Sequence, residues 1–146
     1  MTPTTQLRFD GSLWCNLDIA LRSIDSTYRQ LIRPNNLTVI EWYVLRALFE
    51  RDGQHASELA RAVGRAATSF TPNLDKLQKN GYIERKPDPA DRRAVRIFLT
   101  DTAKQVKPEV LESAREIDAQ LKEAMSGSEI DTLHRALAHL QDHSLE

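Results

Sequence analysis

Residues 55–100 read HASELARAVGRAATSFTPNLDKLQKNGYIERKPDPADRRAVRIFLT, and the order of periodicities within this stretch decides the fold. Leu59 and Val63 stand four residues apart on one helical face, with Ala60 and Ala62 keeping the contact surface small. Gly64 follows where a tight turn needs a permissive backbone. A second stripe, Phe70, Leu74 and Leu77, predicts another short helix that stops at Asn80-Gly81. The period then changes. Residues 82–86 and 94–99 are rich in β-branched and aromatic side chains, Val95, Ile97 and Leu99 alternate, and DPADRR forms the loop of the resulting hairpin. Two short helices around a glycine-bearing turn, then a basic hairpin, describe a winged helix-turn-helix.

On the N-terminal side, Leu13, Leu17, Leu21, Ile24, Tyr28 and Leu31 recur at near-heptad spacing and predict a long helix over 12–33, ended by Pro34-Asn35-Asn36. A second helix is expected from about Thr38 to Arg51, with Thr38 and Glu41 in the capping-box relation and Gly53 closing it. On the C-terminal side, Val106, Val110, Ile117, Leu121 and Ala124 form one seam and Ile130, Leu133, Leu137 and Leu140 another, broken at Ser126-Gly127-Ser128. Pro108 is expected to kink or delay the first of these. The expected fold class is mainly α with a small β-hairpin wing, in a single domain over 1–146 whose winged unit spans 38–100. The apolar stripes of the helices over 12–33 and 101–143 exceed what so small a unit can cover, which points to a homodimer.

The 146 residues carry a net charge of −1, yet the charge is unevenly placed. Residues 61–96 hold nine Lys/Arg against four Asp/Glu, whereas 101–146 hold five against ten. Local potential draws a polyanion to a surface, so the pattern suits a nucleic-acid face with an acidic rear. No apolar run approaches the ~20 residues of a membrane span, and the N-terminus lacks a secretory pattern; a cytoplasmic protein without a membrane partner is expected. The single cysteine, Cys15, has no internal disulfide partner. No nucleophile–base pair, glycine-rich phosphate loop or carboxylate pair is evident, so no enzyme and no cofactor is read.

The succession SELARAVG, TSFTPNLDKLQKNGYIERK and DPADRRAVRIFLT, from Ser57 to Thr100, resembles the MarR family of bacterial transcription regulators. The resemblance implies a homodimer, usually a repressor of double-stranded DNA sites, with recognition helices in major grooves, wings in minor grooves and dimer contacts from the terminal helices. It also implies release by a small phenolic or other aromatic effector, or by an oxidant. The family pattern commonly has an arginine between the two wing acids, where this chain has Ala90. The alternative reading is a winged-helix module that meets an acidic protein partner.

With Phe70, Leu74 and Leu77 inward, Thr68, Ser69, Pro72 and Lys76 point outward with Asn73 on the flank, and these are the major-groove candidates. Lys79, Arg85 and Lys86 suit phosphates. Asp75 is expected to pair with Lys79 or with an arginine outside the helix. Pro72 implies a helix that is kinked or that starts late and is short. In the wing, Asp91 and Asp88 are expected to brace Arg93, leaving Arg92 for the groove, with both arginines as wing contacts. The resemblance makes Trp14, Tyr28, Trp42, Tyr43 and Arg46 candidates for the effector cleft. It makes Cys15 a redox candidate, although the family's peroxide-sensing branch places its cysteine one residue earlier relative to the tyrosine; a packed thiol is the expectation. His139 and His143, with His134 nearby, read as solvated side chains, and no metal is assigned.

Overall fold

The computed structural model describes residues 6–32, 36–63 and 67–143; the side chains at 32 and 67–69 also lie outside the described residues, as does the expected turn at Gly64. After a 3-10 turn (Phe9–Gly11), the chain forms α1 (Leu13–Ile32), α2 (Val39–Glu50), β1 (Gln54–His55), α3 (Ala56–Val63), α4 (Ala67–Lys79), β2 (Ile83–Pro87), β3 (Val95–Leu99), α5 (Asp101–Glu123) and α6 (Gly127–Asp142). The hairpin is joined by a third strand that sequence reasoning did not anticipate. The antiparallel order is β1-β3-β2, with Gln54 opposite Ile97 and His55 opposite Arg96.

Local chemistry sets the element ends. The Thr38 hydroxyl accepts from the Glu41 amide at 3.2 Å and Glu41 Oε2 accepts from the Thr38 amide at 3.2 Å, the expected capping box. Gly53 has φ +73°, a left-handed conformation that lets the chain leave α2 and enter β1 directly. For each of two prolines one of the expected alternatives is excluded. α4 begins at Ala67, so Pro72 sits inside the helix rather than at a late start. α5 begins at Asp101, where the Thr100 hydroxyl accepts from the Ala103 amide at 3.2 Å, so Pro108 does not delay it. Capping at Thr100 outweighs a proline that lies a full turn and more downstream.

The core gathers Val44, Leu45 and Leu48 of α2, Leu59 and Val63 of α3, Phe70, Leu74 and Leu77 of α4, and Ile83 and Ile97 of the sheet, closed by Ala103 and Val110 of α5. Cutting a buried leucine such as Leu45, Leu59 or Leu77 to alanine would cost about 2–5 kcal/mol. This packing fixes which face of α4 turns outward. The terminal helices behave differently: Leu13, Leu17 and Leu21 of α1 and Leu133, Leu137 and Leu140 of α6 are exposed, and α6 buries no residue at all.

Candidate nucleic-acid interface and adjoining cavity

The β2–β3 connection is folded by its two aspartates, each accepting a backbone amide two residues on. Asp88 Oδ1 accepts from Ala90 at 2.9 Å and Asp91 Oδ1 from Arg93 at 3.0 Å. Asp88 is buried, and its other oxygen accepts from His55 Nε2 at 2.6 Å and Arg96 Nε at 3.1 Å. Those contacts, His55 first, hold its carboxyl down at about 2. The expected pairing of Asp88 and Asp91 with the Arg93 guanidinium is therefore corrected. The physical reason is register: β1 places His55 opposite Arg96, both within reach of Asp88, while Arg93 sits out in the loop. Arg96 Nη1 also donates to the Gly53 carbonyl at 3.1 Å. Arg92 and Arg93 are exposed at the tip, with no carboxylate at ion-pair distance among the described residues.

On α4, Phe70, Leu74 and Leu77 are buried, and Pro72, Lys76 and Lys79 are exposed, as the helical period predicts. The side chains of Thr68 and Ser69 lie outside the described residues. Asp75 pairs with Arg85 Nη2 at 2.5 Å, and Arg85 Nε donates to Gln78 Oε1 at 2.6 Å. Arg85, expected on phosphate, instead ties β2 to α4, because strand and helix lie side by side across the short Asn80-Gly81 turn. Lys86 lies 3.6 Å from Glu84, with its ammonium 5.2 Å from the Phe98 ring centre. Lys79 has no carboxylate at ion-pair distance among the described residues.

Asn73 and Lys76 reach toward α2. The Thr38 hydroxyl donates to Asn73 Oδ1 at 3.2 Å, and Lys76 Nζ lies 3.4 Å from Glu41 Oε1. Glu41 is fully buried. Its Oε1 has no hydrogen bond of good geometry, so the Lys76 contact is one of charge rather than of an aligned N–H. Sequence reasoning found Glu41 as a cap and missed this second contact, as it missed His55 and Arg96.

Residues of α1, α2, α3 and α5 line an open cavity of about 670 Å³ that includes Tyr28, Trp42, Tyr43 and Arg46 together with Val63, Arg115 and Asp118. Trp42 meets Tyr28 and Tyr43 edge-on, at centroid distances of 5.8 and 5.2 Å, and donates from Nε1 to Ser113 Oγ at 3.0 Å. The Arg46 guanidinium sits 5.6 Å from the Trp42 ring. Burial, reinforced by Tyr43, pushes the Tyr28 phenol up to about 12, so it keeps its proton. Trp14 does not line this cavity. It is 83% exposed on the first turn of α1, which projects beyond the core. Cys15 is half-buried and lies outside the cavity as well. Among the described residues no three metal-ligating side chains cluster, and no helix is long and apolar enough to cross a membrane.

The sequence profile of the MarR family matches residues 37–95, the segment from the start of α2 to the start of β3. The chain is 30% identical over 113 residues, 77% of each protein, to the HTH-type transcriptional regulator YsmB of Bacillus subtilis (strain 168). Its fold is similar to that of BpsR of Bordetella bronchiseptica, whose DNA binding is regulated by 6-hydroxynicotinic acid (TM-score 0.84, 20% identity, covering 95% of this chain and 99% of that one). It is also similar to that of a MarR transcriptional regulator of Methanosarcina mazei Go1 (TM-score 0.78, 21% identity, 89% and 94% covered). With its three-stranded sheet, its neighbouring helices α3 and α4 and a relative 30% identical over 77% of each protein, the protein belongs to the MarR family of transcriptional regulators.

Proposed function

We propose that the protein is a cytoplasmic, homodimeric, sequence-specific duplex-DNA binder that represses by occupying a pseudo-palindromic operator. One observation carries this reading. On the α4–wing face each acid is engaged within the molecule: Asp75 with Arg85, Glu84 with Lys86, Asp88 with His55 and Arg96, and Asp91 with a backbone amide. Among the described residues Arg92, Arg93 and Lys79 project without such partners, so the face keeps its positive potential for a polyanion. Arg92 and Arg93 are assigned to the minor groove and Lys79 to phosphates, while Lys86 neutralises Glu84 on the same strand. Thr68, Ser69, Pro72 and Asn73 are assigned to the major-groove side.

The exposed leucines of α1 and α6 support two-fold pairing, since apolar surface of that extent is rarely left in water. Pairing sets two half-sites about 10 bp apart. For the effector we propose a planar aromatic acid in the α1–α2–α5 cavity, stacked against Trp42 and Tyr43 with its carboxylate toward Arg46; BpsR responds to a compound of this chemistry. Selection of duplexes from a randomised library, followed by sedimentation of the complex, tests the reading. The expected result is a two-fold-related motif bound by two chains. Salt-sensitive binding that selects no motif would instead favour a module for an acidic protein partner.

A further inference from the structure

We infer that Lys76 is a positioning residue and not a DNA ligand: the capping pair of α2 clamps the recognition helix through Asn73 and Lys76, and the Glu41–Lys76 contact sets where that helix lies. The inference rests on the DNA-binding reading above. Thr38 and Glu41 close the N-terminus of α2 reciprocally, and each also reaches α4, Thr38 to Asn73 at 3.2 Å and Glu41 to Lys76 at 3.4 Å. Asn73 and Lys76 are three residues apart and so share one helical edge. Two contacts along one edge oppose rotation of α4 about its own axis, which is the movement that would re-aim every groove-facing side chain.

The charge balance decides the role of Lys76. Glu41 is fully buried; one oxygen takes the Thr38 amide and the other has no hydrogen bond among the described residues. Among the described residues Lys76 is the cation at ion-pair distance from it. A buried carboxylate deprived of its counter-ion is strongly unfavourable, so transfer of the ammonium to a phosphate is opposed by the charge it would uncover. Exposed cations with no such obligation, Arg92 and Lys79, are close by on the same face. The helix that supplies the clamp also supplies Trp42, Tyr43 and Arg46 to the cavity wall, so a ligand there presses on the element that holds Asn73 and Lys76.

The test uses the full chain, a duplex that the wild type selects from a randomised library, and a random-sequence duplex of the same length. Lys76→Gln is expected to leave the slope of log affinity against log salt unchanged while lowering the selected-to-random affinity ratio about tenfold. Lys76→Arg should restore the ratio. Glu41→Gln keeps an acceptor for the Thr38 amide but frees Lys76, and should steepen the slope by about 0.9 per protomer. Without DNA, urea unfolding of the single and double variants should show coupling, the loss from Lys76→Gln being smaller in the Glu41→Gln background. A slope reduced by about 0.9 per protomer in Lys76→Gln, an unchanged ratio, or additive unfolding effects would each overturn the inference. If Glu41→Gln does not fold, the Lys76→Gln slope and ratio decide alone. A wild type that selects no duplex refutes the DNA-binding reading instead, and the urea cycle then still decides the Glu41–Lys76 pair.

Discussion

Arg92→Ala removes one guanidinium from each wing tip and disturbs nothing that the fold depends on, since the side chain is exposed and unpaired among the described residues. Among the described residues three cations per protomer, Lys79, Arg92 and Arg93, have no carboxylate at ion-pair distance on the proposed face, so the proposed dimer would bring two sets to the duplex. At about −0.9 per phosphate neutralised, those six contacts predict a salt slope of roughly −5.4 for the wild type and about −3.6 for the variant. Raising salt from about 50 to about 200 mM should then weaken the wild type by about 1,800-fold and the variant by only about 150-fold. Fluorescence polarisation of a labelled selected duplex at four salt concentrations reads both lines. The melting temperature should not move, because a surface substitution of this kind changes stability by less than about 0.5 kcal/mol. Parallel salt lines for the two proteins would remove the wing from the interface.

Gly53→Ala places a Cβ 2.8 Å from Phe98 Cε1 at φ +73°, and should destabilise the protein by about 1–3 kcal/mol; a urea midpoint equal to the wild type's refutes the strain argument. Asp88 titrates at about 2 in the folded protein against an ordinary 3.8, so its contribution is complete above that ordinary value and is lost as pH falls through about 2. Asp88→Asn should accordingly be less stable at neutral pH and lose less between pH ~4 and ~2 than the wild type does, as thermal melts across that range will show. Leu17→Glu with Leu137→Glu puts charge into the exposed leucine stripes of α1 and α6, and should convert a dimer to monomer in sedimentation at micromolar concentration; a persistent dimer places the interface elsewhere.

The parts of the fold that follow from short-range periodicity were legible in the sequence: the stripes Leu59/Val63 and Phe70/Leu74/Leu77, the alternation of Val95, Ile97 and Leu99, and the Thr38–Glu41 cap. β1 was not, because two residues cannot carry an alternation; Gln54 and His55 are a strand only because β3 offers them an open edge. The partners of the wing acids were illegible for a similar reason. His55 is 33 residues from Asp88 in sequence, and only the sheet register brings it there. Helical geometry placed Lys76 on the outer side of α4 and Asn73 on its flank but could not say that α2 runs beside that edge. Trp14 was grouped with the other aromatics by type, and its place on the first turn of α1, beyond the core, separates it from them.

The third strand has a mechanical consequence. β1 runs without interruption into α3, Asp88 fastens the wing to it through His55 and Arg96, and Arg85 fastens β2 to α4. Helix α4 and wing are thereby bolted into a single block, and on the proposed DNA-binding reading a protomer would not widen or narrow its own grip on a groove. In the proposed dimer any adjustment would fall to the long helices between one block and its twin, making the pair a caliper whose jaws are stiff and whose hinge alone is adjustable.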